Sequence, residues 1–243
     1  MHTTQVLDRL VAVNLDVRIW SGRKKLTAED LSLGADVPPE DLVSLGSKRV
    51  CDPEPIKVFH RLKQQAERIC LTGGMRFLGG YAIPEDRTEA VAAELDALGE
   101  TFARERATFV AGYAEAVEDW IALHPQWEAA IRKAVDPASL VASRLGFGYQ
   151  LYRIAPADVA GNLEEQVLGL GDTLFGEVAR IARELDRSFT GKDALSQRAL
   201  STFRRIREKL GCLAFVDYRV QPVLDSLEDW LARVPTTGPV TGA

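Results

Sequence analysis

Residues 85–124 read EDRTEAVAAELDALGETFARERATFVAGYAEAVEDWIALH, and the spacing of their apolar side chains decides the fold. Val91, Phe102 and Tyr113 recur at eleven-residue intervals, as do Leu98, Phe109 and Trp120. A third track, Leu95 and Val117, is interrupted only by Arg106. A period of about 3.67 residues per turn keeps each track on one stripe of an α-helix, and it favours a nearly straight or slightly right-handed pairing over a seven-residue supercoil. The stretch predicts one helix from about 85 to 124, which Pro125 ends.

Residues 156–189 repeat the pattern. Val159, Leu170 and Ile181 form one track, Leu163, Leu174 and Leu185 the next, and Val167, Val178 and Phe189 the third. Two helices with one period are natural antiparallel partners. At ~1.5 Å per residue each would reach roughly 50–60 Å, the length of a projecting helical hairpin. Gly161, Gly169 and Gly176 weaken a helix, so close backbone approach is the reason expected for them.

Outward from the helices, strand signals appear three times. From residue 13 to 19 every odd position is apolar and every even one polar, the alternation of a half-buried strand. Residues 75–83 and 147–154 read as a second and a third strand. Between the first two, Thr27 with Asp30 marks a capped helical turn stopped by Gly34, and Pro38 opens another that Gly46 closes. A fuller helix starts at Asp52-Pro53 with Ile56, Phe59, Ala66 and Ile69 inward. Asp136-Pro137 caps a short helix ended by Gly146, and helices near 193–210 and 213–233 follow. The fold class expected is therefore α+β, predominantly α. Residues 1–233 would make a single domain, with a three-stranded head (about 11–84 and 146–155), a helical stalk (about 85–134 and 156–233) and a disordered tail at 234–243.

Composition narrows the function classes. No apolar run nears the ~18–20 residues that cross a bilayer, and the first residues lack the basic start and apolar stretch of a secretory signal. A cytoplasmic protein without membrane contact is expected. Cys51, Cys70 and Cys212 are few, odd in number and far apart, which reads as buried thiols. His2, His60 and His124 are as scattered, so no metal site is expected. Charge is uneven. The overall balance is −5, yet residues 85–128 hold eleven acids against three arginines, and residues 198–209 hold five bases against one acid. The stripe of Arg198, Arg205 and Lys209 is expected to pack against the acidic long helix.

Catalytic signatures are missing. Gly191-Lys192 is followed by Asp193 and lacks the earlier glycine of a phosphate loop, and there is no Gly-x-Ser-x-Gly, His-Glu-x-x-His or Gly-x-Gly-x-x-Gly. An enzyme therefore has the least support, and no cofactor is expected. The basic residues Arg23, Lys24, Lys25, Lys48 and Arg49 lie near Trp20, Phe77, Tyr81, Tyr149 and Tyr152 in the strand segments. They are the candidate anion or single-strand nucleic-acid surface. Solvated turns beside aromatic core residues are the competing reading.

Three segments, LDVRIWSGRKKL at 15–26, LGSK at 45–48 and RFLGGYAIP at 76–84, resemble a bacterial and phage family catalogued as domain of unknown function 3150. The resemblance extends over most of the chain and brings no site residues with it. Genes of that family sit on mobile elements beside MoxR-type AAA+ ATPases and von Willebrand A-like proteins. This implies a partner or adaptor role, with a protein partner and nucleic acid as the two binding classes to weigh. A homo-oligomer would follow if an apolar helix track remained uncovered.

Overall fold

The computed structural model describes residues 3–31, 42–157, 161–189, 194–195, 197–234 and 240–241. In chain order it begins with α1 (Thr3–Leu7), β1 (Leu10–Arg18), β2 (Arg23–Lys25), β3 (Ser47–Arg49), α2 (Lys57–Thr72), β4 (Met75–Phe77), β5 (Gly80–Pro84) and α3 (Thr88–Leu123). Then come α4 (Glu128–Arg132), α5 (Ala138–Ser143), β6 (Gly146–Tyr152), α6 (Leu163–Leu168), α7 (Leu170–Phe189), β7 (Ala194–Leu195), α8 (Gln197–Leu213), α9 (Val220–Arg233) and β8 (Val240–Thr241). The fold is α+β and mainly α, with one small sheet in the order β4-β5-β1-β6.

The eleven-residue track of α3 is a burial pattern. Val91, Leu95, Leu98, Phe102, Tyr113 and Val117 are all buried, Phe109 and Trp120 are partly so, and Glu94, Asp96, Glu100 and Glu115 between them are exposed. The predicted second long helix is shorter than expected. Residues 156–157, 161 and 162 are not helical, Gly169 separates α6 from α7, and α7 runs for 20 residues. It packs against α6 and α8, so shorter helices stand where the second long one was expected. Gly161 and Gly176 have open space where a Cβ would stand, so close packing does not account for them.

The predicted strand at 75–83 is a hairpin. Phe77 pairs with Gly80, leaving Leu78-Gly79 as a two-residue turn with φ of 48° and 78°. Two left-handed residues in succession make the type I′ geometry whose twist matches the flanking strands. The alternation read in residues 13–19 holds: β1 is buried from Leu10 to Val13 and then alternates out and half-in through Arg18. β1 pairs antiparallel with β5 (Leu10 with Pro84, Val13 with Tyr81).

The chain divides into two compact units, and the division runs through α2, α3, β1 and β6. Unit 1 comprises Met1–Leu15, Glu67–Leu95 and Tyr149–Ala243. Its core joins Leu10, Met75 and Phe77 to Leu170 and Leu174 of α7 and to Ile206, Leu210 and Leu213 of α8. Lys209, on the basic stripe of α8, does meet an acid, but the acid is Glu177 of α7 rather than one on α3. Its Nζ also donates to the Leu71 carbonyl at 3.1 Å. Leu195, read as part of that helix, lies in β7, which pairs with β8, so Val240 and Thr241 of the expected disordered tail are in a strand.

Unit 2 comprises Asp16–Ala66 and Asp96–Gly148. An aromatic cluster fills it: Phe59 lies 4.9 Å from Phe102 and 5.8 Å from Phe109, and Trp20 stands edge-on to Tyr113 at 5.4 Å. The turn at Thr27 forms as read. Thr27 N–H donates to the Asp30 carboxylate at 2.8 Å and the Asp30 N–H returns to Thr27 Oγ1 at 3.4 Å, a reciprocal cap. Gly34 and the turn opened at Pro38 lie outside the described residues.

Candidate functional site

Two separate basic segments become neighbours in unit 2. β2 and β3 pair antiparallel, with Arg23 opposite Arg49, Lys24 opposite Lys48 and Lys25 opposite Ser47. What reads as a solvated turn in the sequence is thus half of a two-stranded ribbon, and all five basic candidates stand on it. Because side chains alternate along a strand, the ribbon sorts them. Lys24 and Lys48 share the half-buried face, while Arg23, Lys25 and Arg49 share the exposed one.

The inner lysines are each matched by a carboxylate. Lys24 Nζ is 2.5 Å from Asp136 Oδ1, and Asp136 Oδ2 accepts from Trp20 Nε1 at 3.0 Å. Burial alone would push the Asp136 carboxyl up, but the hydrogen bonds from Lys24 and Trp20 outweigh it and hold it below the usual range. Asp136 was expected to cap the helix after Pro137. Instead α5 has no side-chain cap, and the carboxylate serves the ribbon. Lys48 is held by Asp30, whose side chain is 5% exposed. There burial again opposes ionisation, and Lys48 with both Thr27 hydrogen bonds lowers the carboxyl to about 2.

Beside the ribbon lies a pocket of about 410 Å³. Trp120, His124 and Trp127 form its aromatic side, Leu31 and Ile131 add apolar wall, and Arg49 is on its rim. The end of α3 supplies Trp120 and the turn after Pro125 supplies Trp127. Trp120 is fixed at both ends of its ring: the indole N–H donates to the Arg49 carbonyl at 3.4 Å, and His124 packs edge-on at 4.5 Å. Trp127 remains 42% exposed and Leu123 beside it 71% exposed. The Asp30–Lys48 ion pair lines the same pocket, and its two-tryptophan wall suits a flat or branched apolar group.

Sequence reasoning found the five bases and missed the pocket. Trp120 carried a signal, but as the last member of a helix track. Trp127 and Ile131 follow Pro125, where no periodicity links them to residues 26–49. Trp20 is core and shares Asp136 with Lys24, while Phe77, Tyr81, Tyr149 and Tyr152 belong to unit 1. Among the described residues no cluster of three His, Cys, Asp or Glu could hold a metal, and no helix is long and apolar enough to cross a membrane.

Fold and site together define a mainly helical α+β protein with an aromatic-lined pocket beside a basic ribbon. The model of the family described as protein of unknown function (DUF3150) matches residues 7–243, and the chain belongs to that family. No curated protein and no solved structure matches it.

Proposed function

We propose that this is a non-enzymatic interaction protein, and that the pocket of Trp120, His124 and Trp127 receives an apolar anchor from a partner protein. The observation that carries the reading is the pocket itself, about 410 Å³ with one tryptophan fixed and the other 42% exposed. Tryptophan and arginine dominate binding energy at protein interfaces when they line a desolvated recess. Arg49 on the rim favours an anchor followed by an acidic residue. The partner class implied by the family resemblance is a MoxR-type AAA+ ATPase, with a von Willebrand A-like protein beside it, and the chain would act as their adaptor. The test is co-purification from cells expressing the neighbouring genes together. Trp127→Ala should lose the ATPase while keeping the fold, and retention of the ATPase by that variant, or its absence with the wild type, rejects the reading.

A second reading, nucleic-acid binding through the basic ribbon, is favoured by the convergence of all five bases. It is weakened by the commitment of Lys24 and Lys48 to carboxylates. It predicts salt-sensitive binding of single-stranded oligonucleotides that falls when Arg23, Lys25 and Arg49 are replaced together.

A further inference from the structure

The ribbon treats its two like-charged pairs differently. Lys24 and Lys48 stand opposite each other and each has its own acid. Arg23 and Arg49 stand opposite each other one step along and have none among the described residues; apart from a weak 3.5 Å contact from Arg23 Nη1 to Ser47 Oγ, their guanidiniums are uncompensated. Like charges directly across a strand pair are destabilising. The same ribbon neutralises one pair and leaves the other bare, so the bare pair is the exception that needs a cause.

A cleft opens in front of it. The space, about 150 Å³, is lined by Arg23 and Arg49 together with Ser21, Gly22, Lys57 and His60. Gly22, which also lines it, has φ of +64°, a conformation that residues with a side chain rarely adopt. Of the acids adjacent in sequence, Glu54 holds Lys57 at 2.5 Å, and Asp52 accepts the Glu54 N–H at 3.0 Å while keeping its charge. Two guanidiniums, a hydroxyl and an imidazole therefore line one recess, large enough for a tetrahedral oxyanion.

We propose that the Arg23–Arg49 cleft is a phosphate-binding site, taking the phosphate group of a phosphorylated ligand between the two guanidiniums. Planar forks of donors match phosphate oxygens two at a time, which a lysine cannot reproduce. The bound dianion replaces the missing acid and removes the cross-strand repulsion. Arg23 and His60 do not line the aromatic pocket, so this site stands or falls separately from the partner-anchor reading. Arg49 borders both, and a ligand with a ring beyond its phosphate could reach from one into the other.

The experiment is titration of the full chain with inorganic phosphate, phenyl phosphate and a 5′-phosphorylated oligonucleotide, followed by calorimetry and by thermal melting. The wild type should bind all three and melt at higher temperature as phosphate is added. Arg23→Gln and Arg49→Gln should each weaken inorganic phosphate at least about tenfold, and Arg23→Lys should not restore it. Removing either arginine should leave the melting temperature of the ligand-free protein unchanged or raised, because a repulsion is lost. Tighter phenyl phosphate than phosphate, lost on Trp120→Ala, identifies a small ring-bearing ligand; tighter oligonucleotide, insensitive to Trp120, identifies a strand end. No binding of phosphate up to about 10 mM, equal binding by the glutamine variants, or a clear drop in their ligand-free stability overturns the proposal.

Discussion

Lys24 and Lys48 face each other across the β2–β3 ribbon, and each is held by a carboxylate from a different part of the chain, Asp136 and Asp30. The pairing ties the ribbon to the capped turn at Thr27 on one side and to the segment before α5 on the other. Asp30 is almost fully buried and Lys48 only 15% exposed, so removing one charge strands the other. Asp30→Asn should cost about 2–4 kcal/mol, read as a lower urea midpoint with an unchanged slope. The exposed pair of Lys133 with Glu29 is the control, and Lys133→Ala should leave the midpoint where it was. Equal effects of the two substitutions would show that the ribbon is not anchored by Asp30.

Acid should release the same anchors. Asp30 titrates at about 2 in the folded protein against roughly 3.9 in an unfolded chain. A carboxyl lowered on folding stabilises fully above its unfolded value and loses that contribution as pH falls through its folded value. Asp136 is lowered in the same direction, for the same kind of reason. Stability measured by urea unfolding should therefore decline as pH drops from about 4 toward 2, and the decline should be shallower in Asp30→Asn. A wild type and variant with parallel acid limbs would remove Asp30 from the account.

The β4–β5 turn carries a misfit that can be relieved. Leu78 adopts φ of 48° while 52% exposed, and a branched side chain in the left-handed region costs roughly 1–2 kcal/mol. Asparagine tolerates that region, and Asn-Gly is the preferred pair for this turn. Leu78→Asn should raise the unfolding free energy by about 0.5–1 kcal/mol. A loss of stability instead would mean that the Leu78 side chain is covered by something in solution.

How far the fold could be read depended on whether a pattern was local. The eleven-residue track in α3 and the alternation in β1 are local, and in both the apolar positions are the buried or half-buried ones. The same periodicity misled at residues 156–162, because spacing alone does not weigh the run of Pro156, Gly161 and Asn162 against helix. The hairpin at 75–84 was missed through its turn: Leu78 is a residue that I′ turns rarely take, so residues 75–83 read as one continuous strand. In the site, five bases were legible as residue types, but their sorting into neutralised and bare pairs depends on a register between residues far apart in the sequence. Asp136 shows the limit most clearly, since before a proline it reads as a helix cap and only the tertiary fold turns it toward Lys24 and Trp20.

The cysteines offer a check on packing that needs no ligand. Cys51 and Cys70 are buried, and burial pushes their thiols up to about 11 and about 12. Cys212 is half-exposed; burial raises its thiol as well, but Arg87 lies 3.8 Å from Sγ and pulls the other way. Since the thiolate is the reactive form, a disulfide reagent at neutral pH should modify Cys212 alone in the native protein and the other two only on unfolding. Cys212→Ser should then be inert until denaturant is added, and the loss of its partner at Arg87 should leave the Arg87–Glu208 ion pair at 3.0 Å in place. Rapid native labelling of Cys51 would mean that the wall of the Arg23–Arg49 cleft, which Cys51 helps to line, opens in solution. Added phosphate should slow that labelling if the cleft is where it binds.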